Sequence, residues 1–451
     1  MLRARLGPPF SSSQAWPNHF RPFTQTEDLF VTRPQSLRPD LIDAALTSAR
    51  GVGTPLWLYE AEPIRQRVRQ LSGFDCVRFA QKANSNTHIL RLLRSMGVAV
   101  DAVSLGEIER ALRAGYVPDT TAHDIVFTAD VIDEATLARV LALGIPVNCG
   151  SPDMLRQLGR VGRGHPVWLR INPGFGHGHN RKTNTGGPSS KHGIWHEEFE
   201  DSLRLVDEYG LSLIGLHMHI GSGVDYAHLH RVCDSMLDAV RRANRPLLAI
   251  SAGGGLSVSY RPGEPEIDIA EYYTAWNKTR LEAERITGSR IRLELEPGRY
   301  LVGNAGLLVA EVRAVKNVAD KHFVLLDAGF NELARPILYG SHHEICFVTR
   351  AGAPVAGPTR PIAVAGPLCE AGDVFTQHDG GFVEFRELPL PEAGDIAILR
   401  DAGAYGATMS SNYNTRPLAP EVMLDAGALS VIRKRQSIEQ LLDLEADGGP
   451  L

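Results

Sequence analysis

The sequence lacks an excess of charge of either sign. Its 451 residues carry 47 lysines and arginines against 52 aspartates and glutamates, a formal net charge of −5, with no block of basic residues. Proteins that bind nucleic acid or anionic membrane surfaces rely on clustered positive charge, so neither is expected as a partner. No apolar run approaches the roughly 18 residues that cross a membrane. A small molecule is the better expectation for a partner.

Cysteine is scarce, and its spacing shows no pairing pattern. The five cysteines are Cys76, Cys149, Cys233, Cys346 and Cys369. An odd, widely spaced set without a CxxC motif fits neither a disulfide framework nor a zinc ribbon, and it indicates a reducing, cytoplasmic compartment. Residues 1–25 are rich in Pro and Ser, without periodicity or a continuous apolar segment. They are therefore predicted to form a mobile tail and not a signal peptide.

What the sequence does contain is a regular alternation of short β-branched runs and amphipathic helical patterns. The alternation is typical of βα units built on a parallel sheet. The runs are residues 77–81, 98–103, 124–129, 145–149, 166–172, 211–219, 246–251 and 290–296. Eight parallel strands within so short a stretch favour a closed (β/α)8 barrel of the TIM type over an open sheet.

The pattern changes after Gly298. Strand-like runs rich in Gly and Pro follow, without long helices, and they predict a second, all-β domain built as a barrel or sandwich. An earlier run at 55–60, ahead of a predicted helix at 61–72, is assigned to the barrel. The predicted domains are a lead-in segment at 26–54 that packs with the β domain, the barrel at 55–299, and the β domain at 300–451.

Residues suited to binding or catalysis lie at the ends of four predicted strands. They are Lys82, the pair His217 and His219, the run Gly253-Gly254-Gly255, and Glu296. In a (β/α)8 enzyme the chemistry lies at the C-terminal strand ends, so these positions carry weight. Alone, a rim lysine can be a solvated residue, and three glycines can form only a tight turn. Together, an imine-forming amine, an anion-binding glycine run and a carboxylate predict a pyridoxal phosphate site.

The two histidines leave several interpretations open. They alternate by two and are expected on the same face of one strand. An HxH pair at a strand end is also a zinc pattern in barrel hydrolases, but no clear third and fourth ligands follow, and no metal is predicted. One histidine can instead stack on a cofactor ring, with His217 the better candidate for a buried core residue. Glu296 could alternatively form an ion pair with Arg299.

Eight motifs follow one another along residues 50–440. They read FAQKANSNTHIL, SKHGIW, HMHIGSGVD, GGGLS, EPGR, RPILYG, GPLCEAGD and GAYGATMSSNYNTRP. This ordered series resembles the fold-type III pyridoxal-phosphate-dependent decarboxylases, the group that includes the ornithine and arginine decarboxylases. The resemblance implies pyridoxal 5'-phosphate as the cofactor, a carboxy-lyase activity on an amino acid, and a homodimer whose active sites are shared between subunits.

The resemblance also implies a role for each motif residue. Lys82 is expected to bond covalently to the cofactor, His219 to stack on its ring, and Glu296 to hold the pyridine nitrogen. Further cofactor contacts are implied for Ser222, Gly253, Gly254, Gly255, Pro297, Gly298, Arg299 and Tyr405. Substrate contacts are implied for Arg299, Arg335, Tyr339, Glu370 and Tyr405. Cys369, supplied by the second subunit of a head-to-tail dimer, is expected to donate a proton to the substrate carbon.

Within the family, the motifs most resemble those of the members that act on meso-diaminopimelate, and the charges of the implied substrate contacts agree with that substrate. Meso-diaminopimelate carries an amino acid group at each end, so the end that does not react needs one binder for a carboxylate and another for an ammonium group. Arg335 with Tyr339, and Glu370, supply those opposite charges. We therefore expect conversion of meso-diaminopimelate to L-lysine. The alternatives are a family member acting on carboxynorspermidine, ornithine, arginine or a D-amino acid, a catalytically silent homologue and, more remotely, a metal-dependent hydrolase.

Overall fold

The structure is a computed structural model that describes residues 37–118, 124–176, 184–223, 226–261, 263–264 and 266–445. The tail predicted at residues 1–25 lies outside the described residues. Of the helices in this described part, none is both long and apolar enough to cross a membrane.

The described chain begins with helix α1 (Pro39–Val52), strand β1 (Leu56–Glu60) and helix α2 (Ala61–Gln70). Pro39 suits the first helical position, because its ring presets φ and its missing N–H is one that a helix start leaves unpaired. Gly53 ends α1 with φ +73°, a left-handed value that glycine adopts without strain. Helix α2 is the helix predicted at 61–72.

Eight parallel strands then close into a barrel. They are β2 (Cys76–Ala80), β3 (Ala99–Ala102), β4 (Ile125–Ala129), β5 (Val147–Cys149), β6 (Pro166–Asn172), β8 (Ser212–His217), β9 (Ala249–Ser251) and β10 (Arg292–Leu295), with a two-residue β7 (Ile194–Trp195) beside β6. Their order is β5-β4-β3-β2-β10-β9-β8-β6, and pairing of β5 with β6 closes the ring. Each of these eight strands coincides with or overlaps one predicted run, so the (β/α)8 prediction is confirmed.

A helix follows each strand of the barrel. These helices are α3 (Thr87–Ser95), α4 (Leu105–Ala114), α5 (Glu134–Leu143), α6 (Pro152–Val161), α7 (Phe199–Glu208), α8 (Tyr226–Ala243), α9 (Ile269–Thr287) and the short α10 (Arg299–Val302). Asn86, Ser104, Asp133 and Ser151 each accept a backbone N–H at a helix start. Such a cap contributes about 1 kcal/mol. The sequence therefore encodes these helix starts locally.

A second sheet builds the β domain. Besides β1 it contains β11 (Gly306–Val318), β12 (Lys321–Leu326), β13 (Ile345–Val348), β14 (Thr359–Ala365), β15 (Arg386–Pro389), β16 (Ile396–Leu399), β17 (Glu421–Asp425) and β18 (Ala428–Arg433). The main path is β15-β14-β12-β11-β1-β17-β18, and β16 pairs with both β11 and β13. Two short helices, α11 (Arg335–Tyr339) and α12 (Ile438–Leu442), complete the domain. The second, all-β domain is confirmed, although the sequence patterns do not predict β13, β15 and β17.

Strand β1 corrects the predicted boundary at residue 55. The sequence pattern predicts residues 55–60 as part of the barrel, but β1 pairs antiparallel with β11 and parallel with β17. All five of its residues are buried, so the strand needs cover on both faces and neighbours on both edges. The β domain supplies those neighbours by pairing Leu56 with Val309 and Trp57 with Glu421. Pairing over such sequence distances leaves no local pattern.

Helix α1 shares its apolar face with the β domain. Leu41, Ile42, Ala45 and Leu46 are buried in one cluster with side chains of β1, β11, β13, β16 and β17. A separate and larger cluster contains buried residues of both domains, including Phe79 of barrel strand β2 and Leu308 of β11. The two domains are therefore packed together, and the space between them can be built from both.

Candidate active site between the barrel and the β domain

Lys82 lies just beyond the C-terminal end of β2. It occupies a single 3-10 turn of residues 81–83, in which the two flanking residues are buried and Lys82 itself is exposed. The backbone N–H of Tyr405, from the β domain, donates to the carbonyl of Ala83 at 2.8 Å. The turn that carries the lysine is thus held by both domains.

Glu296 is buried just beyond β10, and both of its carboxylate oxygens are engaged. Oε2 accepts from Nε2 of His217 at 2.8 Å, and Oε1 accepts from the hydroxyl of Ser251 at 2.9 Å. Burial by itself raises the pKa of Glu296, but attraction to His217, these two hydrogen bonds and the charge of Arg78 outweigh burial and lower the pKa to about 2. Glu296 is therefore an oriented anion at neutral pH. The alternative ion pair with Arg299 does not form in the described chain.

The two histidines of the HMH motif differ in their position and in their hydrogen bonds. Strand β8 ends at His217, so the run predicted at 211–219 is too long, and His219 lies in the turn beyond the strand. The ring of His219 is partly buried, and its Nδ1 has no hydrogen-bond partner among the described residues. Burial, followed by the positive charges of Arg170 and Lys82, lowers the pKa of His219 well below its usual value. His219 thus presents a neutral ring at pH 7, whereas His217 is a bonded core residue.

The glycine run beyond β9 admits no side chains at its start. Gly253 and Gly255 have φ values of +62° and +107°, which L residues rarely adopt. A Cβ on Gly253 would lie 2.5 Å from the carbonyl oxygen of Met218, and one on Gly254 would lie 2.7 Å from that of Glu296. The run therefore exposes bare backbone at the end of the barrel where Lys82 and Glu296 stand.

Two further turns adjoin this end of the barrel. Gly223 donates its N–H to the carbonyl of Gly255 at 2.9 Å, which brings the turn containing Ser222 beside the glycine run. The Pro297 carbonyl accepts from the N–H of Ala80 in β2 at 3.1 Å. The Glu296-Pro297-Gly298 turn is thereby linked to the strand that precedes Lys82.

Two arginines meet around one tyrosine where the β domain faces the barrel. Arg299 donates from Nη1 to the hydroxyl of Tyr260 at 2.6 Å, and its guanidinium carbon lies 5.1 Å from the centre of the Tyr405 ring. The guanidinium of Arg335 lies 4.7 Å from the centre of the Tyr260 ring. Arg335 is buried and not part of a surface salt bridge. Tyr339, the last residue of α11, is close enough to help raise the pKa of Arg299, against the lowering effect of burial.

Neither Arg299 nor Arg335 has a carboxylate partner within the described part of the chain. Buried charges are normally paired, because leaving a charge unpaired away from water is expensive. Two adjacent guanidinium groups without an acid can pair with an anion from outside the chain, and a carboxylate fits the hydrogen-bond geometry of a guanidinium group.

Tyr260 and His343 belong to this arginine cluster, and sequence reasoning missed both. Tyr260 contacts each arginine, and Nε2 of His343 lies 3.1 Å from Nη1 of Arg335. The available signal was position alone: Tyr260 follows the glycine run by five residues, and His343 comes shortly after the RPILYG motif. Such contacts join distant loops, and no local spacing encodes them.

Cys369 and Glu370 make no described contact with the arginine cluster of their own chain. Both are exposed, in the loop that follows β14. The N–H of Cys369 donates to Oδ1 of Asn414 at 3.0 Å, and no described contact joins Cys369 to Lys82. Cys369 is a free thiol and is exposed, so it is not packed as a small buried hydrophobic residue.

The groups at the barrel end match the chemistry of pyridoxal phosphate. Its aldehyde bonds to an amine, its phosphate favours backbone N–H groups, and a carboxylate keeps its pyridine nitrogen protonated. Lys82, the glycine run and Glu296 provide these groups, and the free Nδ1 of His219 shows a buried polar atom awaiting a partner. Fold and site together define a barrel enzyme of the class that binds this cofactor.

Comparison with known proteins narrows that class. Residues 63–303 match the family model described as "Pyridoxal-dependent decarboxylase, pyridoxal binding domain". The diaminopimelate decarboxylase of Streptomyces coelicolor is 59% identical over 398 residues, which cover 88% of this chain and 90% of the relative. The chain belongs to the pyridoxal-dependent decarboxylase family and, within it, to the diaminopimelate decarboxylases.

Solved structures agree with this assignment. A crystal structure of a diaminopimelate decarboxylase matches with a TM-score of 0.89 and 57% identity, covering 91% of this chain and 98% of the other. The Helicobacter pylori diaminopimelate decarboxylase complexed with L-lysine matches with a TM-score of 0.78 and 30% identity, covering 88% and 98%. The expectation of a fold-type III decarboxylase is confirmed, and pyridoxal phosphate is the cofactor of the family.

Proposed function

We propose that this chain decarboxylates meso-diaminopimelate to L-lysine and carbon dioxide. The observation that carries the proposal is the pair of guanidinium groups, Arg299 and Arg335, that have no acid partner in the described chain. A substrate with a carboxylate at its unreactive end supplies the missing negative charge. Ornithine would bring an ammonium group against two positive charges instead. L-Lysine, which is bound in the Helicobacter pylori relative, retains the carboxylate of that unreactive end.

Lys82, His219 and Glu296 are proposed to hold the cofactor. When bound, pyridoxal phosphate supplies a sink for the electron pair that departing carbon dioxide leaves behind. Lys82 contributes the amine for covalent attachment, and the neutral ring of His219 stacks on one face. Glu296 stays anionic because its pKa is about 2, so it can keep a proton on the pyridine nitrogen.

The phosphate end is assigned to the backbone-rich turns at the same end of the barrel. The glycines in these turns have no side chains, so their backbone N–H groups can approach a ligand closely. Backbone N–H groups gathered in this way favour an anion. The residues proposed to line this end are Ser222, Gly253, Gly254, Gly255, Pro297 and Gly298. Pro297 has no N–H and the N–H of Gly253 is bonded to the hydroxyl of Ser251, so these two residues shape the turns and the others supply the donors. Tyr405, whose own N–H is bonded to the lysine turn, is proposed to contact both cofactor and substrate.

Arg335, Tyr339 and Arg299 are proposed to hold the distal carboxylate of the substrate. Burial lowers the pKa of Arg335, and a bound carboxylate would offset that cost by pairing with the charge. A guanidinium group also offers two parallel N–H donors to a carboxylate. The ammonium group of a lysine would bind the same carboxylate only as a point charge.

Cys369 and Glu370 are proposed to act in the site of a second subunit. A thiol is a suitable proton donor to the substrate carbon, and a carboxylate suits the distal ammonium group. Both side chains are exposed, and neither has a described contact with Lys82 of its own chain. A head-to-tail homodimer would let each subunit complete the site of the other.

A reducing cytoplasmic location is part of the same proposal. All five cysteines are free, and Cys369 is exposed. A proton-donating thiol must remain reduced, and reducing compartments keep exposed thiols in that state.

The deciding experiment measures carbon dioxide release from meso-diaminopimelate, L-lysine, L-ornithine and L-arginine, with and without added pyridoxal phosphate. Of the four substrates, we expect only meso-diaminopimelate to be turned over, and we expect that turnover to depend on the cofactor. Borohydride reduction followed by mass analysis should find the cofactor on Lys82. Equal rates on ornithine would reject the substrate assignment, and no turnover of any of the four would favour a silent homologue.

A further inference from the structure

His343 lies in the loop between α11 and β13, and its side chain is only 1% exposed. Its Nδ1 lies 2.8 Å from the carbonyl oxygen of Arg400, and its Nε2 lies 3.1 Å from Nη1 of Arg335. A carbonyl oxygen only accepts hydrogen bonds, and a guanidinium group only donates them. The partners therefore fix the tautomer, with the proton on Nδ1 and a bare Nε2 facing Arg335.

The surroundings keep this ring uncharged. Burial, followed by the positive charge of Arg335, lowers the pKa of His343 well below its usual value, and His342 and Arg386 act in the same direction. A second proton would also place two donors face to face at Arg335. His343 is thus a neutral acceptor throughout the physiological pH range.

A neutral acceptor affects Arg335 differently from a carboxylate. Either one can hold the guanidinium group in place, but a carboxylate would also neutralise its charge. Arg335 is held on one side by Nε2 of His343 and on another by the Tyr260 ring. The Tyr260 and His343 rings themselves meet edge to face, with centres 5.7 Å apart and planes at 80°. The charge of Arg335 is oriented but not compensated.

We propose that His343 is a positioning residue for substrate recognition. It fixes the orientation of Arg335 through an uncharged hydrogen bond, so the guanidinium charge stays available for the distal carboxylate of the substrate. This inference rests on the proposed function, because it assigns His343 to the residue that would bind that carboxylate. His343 acts through Arg335 and contacts neither the cofactor nor the reacting atoms in this assignment.

Two substitutions separate positioning from simple structural support. His343→Asn keeps a donor near the Nδ1 position for the Arg400 carbonyl, but its side chain is too short to reach Arg335. His343→Gln places an amide oxygen near the Nε2 position and retains an acceptor for Arg335. Thermal unfolding of both holoenzymes shows whether each variant folds.

Three ligands then report on the carboxylate site. KM is measured for meso-diaminopimelate, and inhibition constants are measured for L-lysine and for 1,5-diaminopentane, which has the amines of L-lysine but no carboxylate. For His343→Asn we expect KM and the L-lysine inhibition constant to rise about tenfold, with kcat reduced less than about threefold. The inhibition constant of 1,5-diaminopentane should stay within about twofold, and His343→Gln should recover much of the loss.

Measuring Arg335→Ala alongside separates the positioning role of His343 from the assignment of the carboxylate site. If Arg335→Ala weakens L-lysine and His343→Asn does not, the positioning role is wrong while the proposed function stands. If Arg335→Ala leaves L-lysine binding unchanged, the assignment of the carboxylate site itself is wrong. Equal weakening of L-lysine and 1,5-diaminopentane by His343→Asn would indicate general damage and would also reject the positioning role.

Discussion

The barrel side and the β-domain side of the site differ in whether their buried charges have partners within the chain. On the barrel side, Glu296 has a donor on each oxygen, from His217 and Ser251. On the β-domain side, Arg335 of α11 meets Arg299 of α10, and the two contact tyrosine rings, a hydroxyl and a neutral imidazole. The difference matches two kinds of ligand. A cofactor that stays bound suits a fully oriented anion, whereas a substrate that must enter and leave suits a charge left uncompensated until it arrives.

The largest expected effect tests whether the Lys82 and the Cys369 of one active site come from different subunits. Lys82→Ala and Cys369→Ala should each have far lower activity than the parent enzyme. The first removes the amine proposed to bond to the cofactor, and the second removes the proposed proton donor. Mixing the two variants under conditions that exchange subunits should restore up to about one quarter of parent activity, since half of the dimers are then hybrids with one intact site.

Two controls complete that experiment. Lys278→Ala, at an exposed lysine on α9, should leave activity unchanged and show that loss of a lysine as such does no harm. Cys369→Ala should still bind the cofactor, as judged by its absorbance. Mixtures that stay as inactive as their components would place Lys82 and Cys369 in the same chain's site.

The next largest effect concerns the oriented anion. Glu296→Gln keeps the shape of the side chain but removes the charge that would hold a proton on the cofactor nitrogen. We expect kcat to fall about 100-fold, in the range found when one preorganised electrostatic partner is lost. KM for meso-diaminopimelate should change little, because the substrate carboxylate is assigned to the other side. A large rise in KM with unchanged kcat would contradict this division of roles.

The smallest effect compares Glu296 with a second buried carboxyl group in the β domain. Glu332 accepts from the N–H of Gly329 and from the side chain of Asn331. Here burial dominates, and it raises the pKa of Glu332 to about 7 despite those bonds and the attraction of Arg416. The same side-chain chemistry therefore gives opposite pKa shifts in the two regions, since charged and polar partners outweigh burial only at Glu296.

This contrast predicts how stability changes with pH. The unfolded carboxyl group ionises near pH 4.5, whereas folded Glu332 ionises only near pH 7, so rising pH favours the unfolded state across that window. The Glu332→Gln variant has no such proton to lose. The free energy of unfolding of Glu332→Gln, relative to that of the parent, should therefore rise by up to about 3 kcal/mol between pH 4.5 and pH 7. Urea denaturation of both proteins at each pH measures this difference. A difference that stays constant with pH would show that Glu332 has an ordinary pKa.

How much could be predicted differs between the two regions for a physical reason. Each barrel strand is followed by a helix with its own apolar spacing, and caps such as Asn86 and Ser104 mark helix starts. Those signals lie within a few residues of one another, so the barrel was predictable. In the β domain, β1 finds its partners through Val309 and Glu421, and nothing near residue 56 encodes either pairing.

The same division holds within the site. By itself, the sequence determined the alternation of strands and helices, and it placed Lys82 and Glu296 at strand ends, because strand-end positions follow directly from local periodicity. Only the tertiary structure decided that Tyr260 and His343 surround Arg335 and that His217 orients Glu296. Those contacts join loops from separate parts of the chain, and their geometry exists only once the barrel and the β domain pack together.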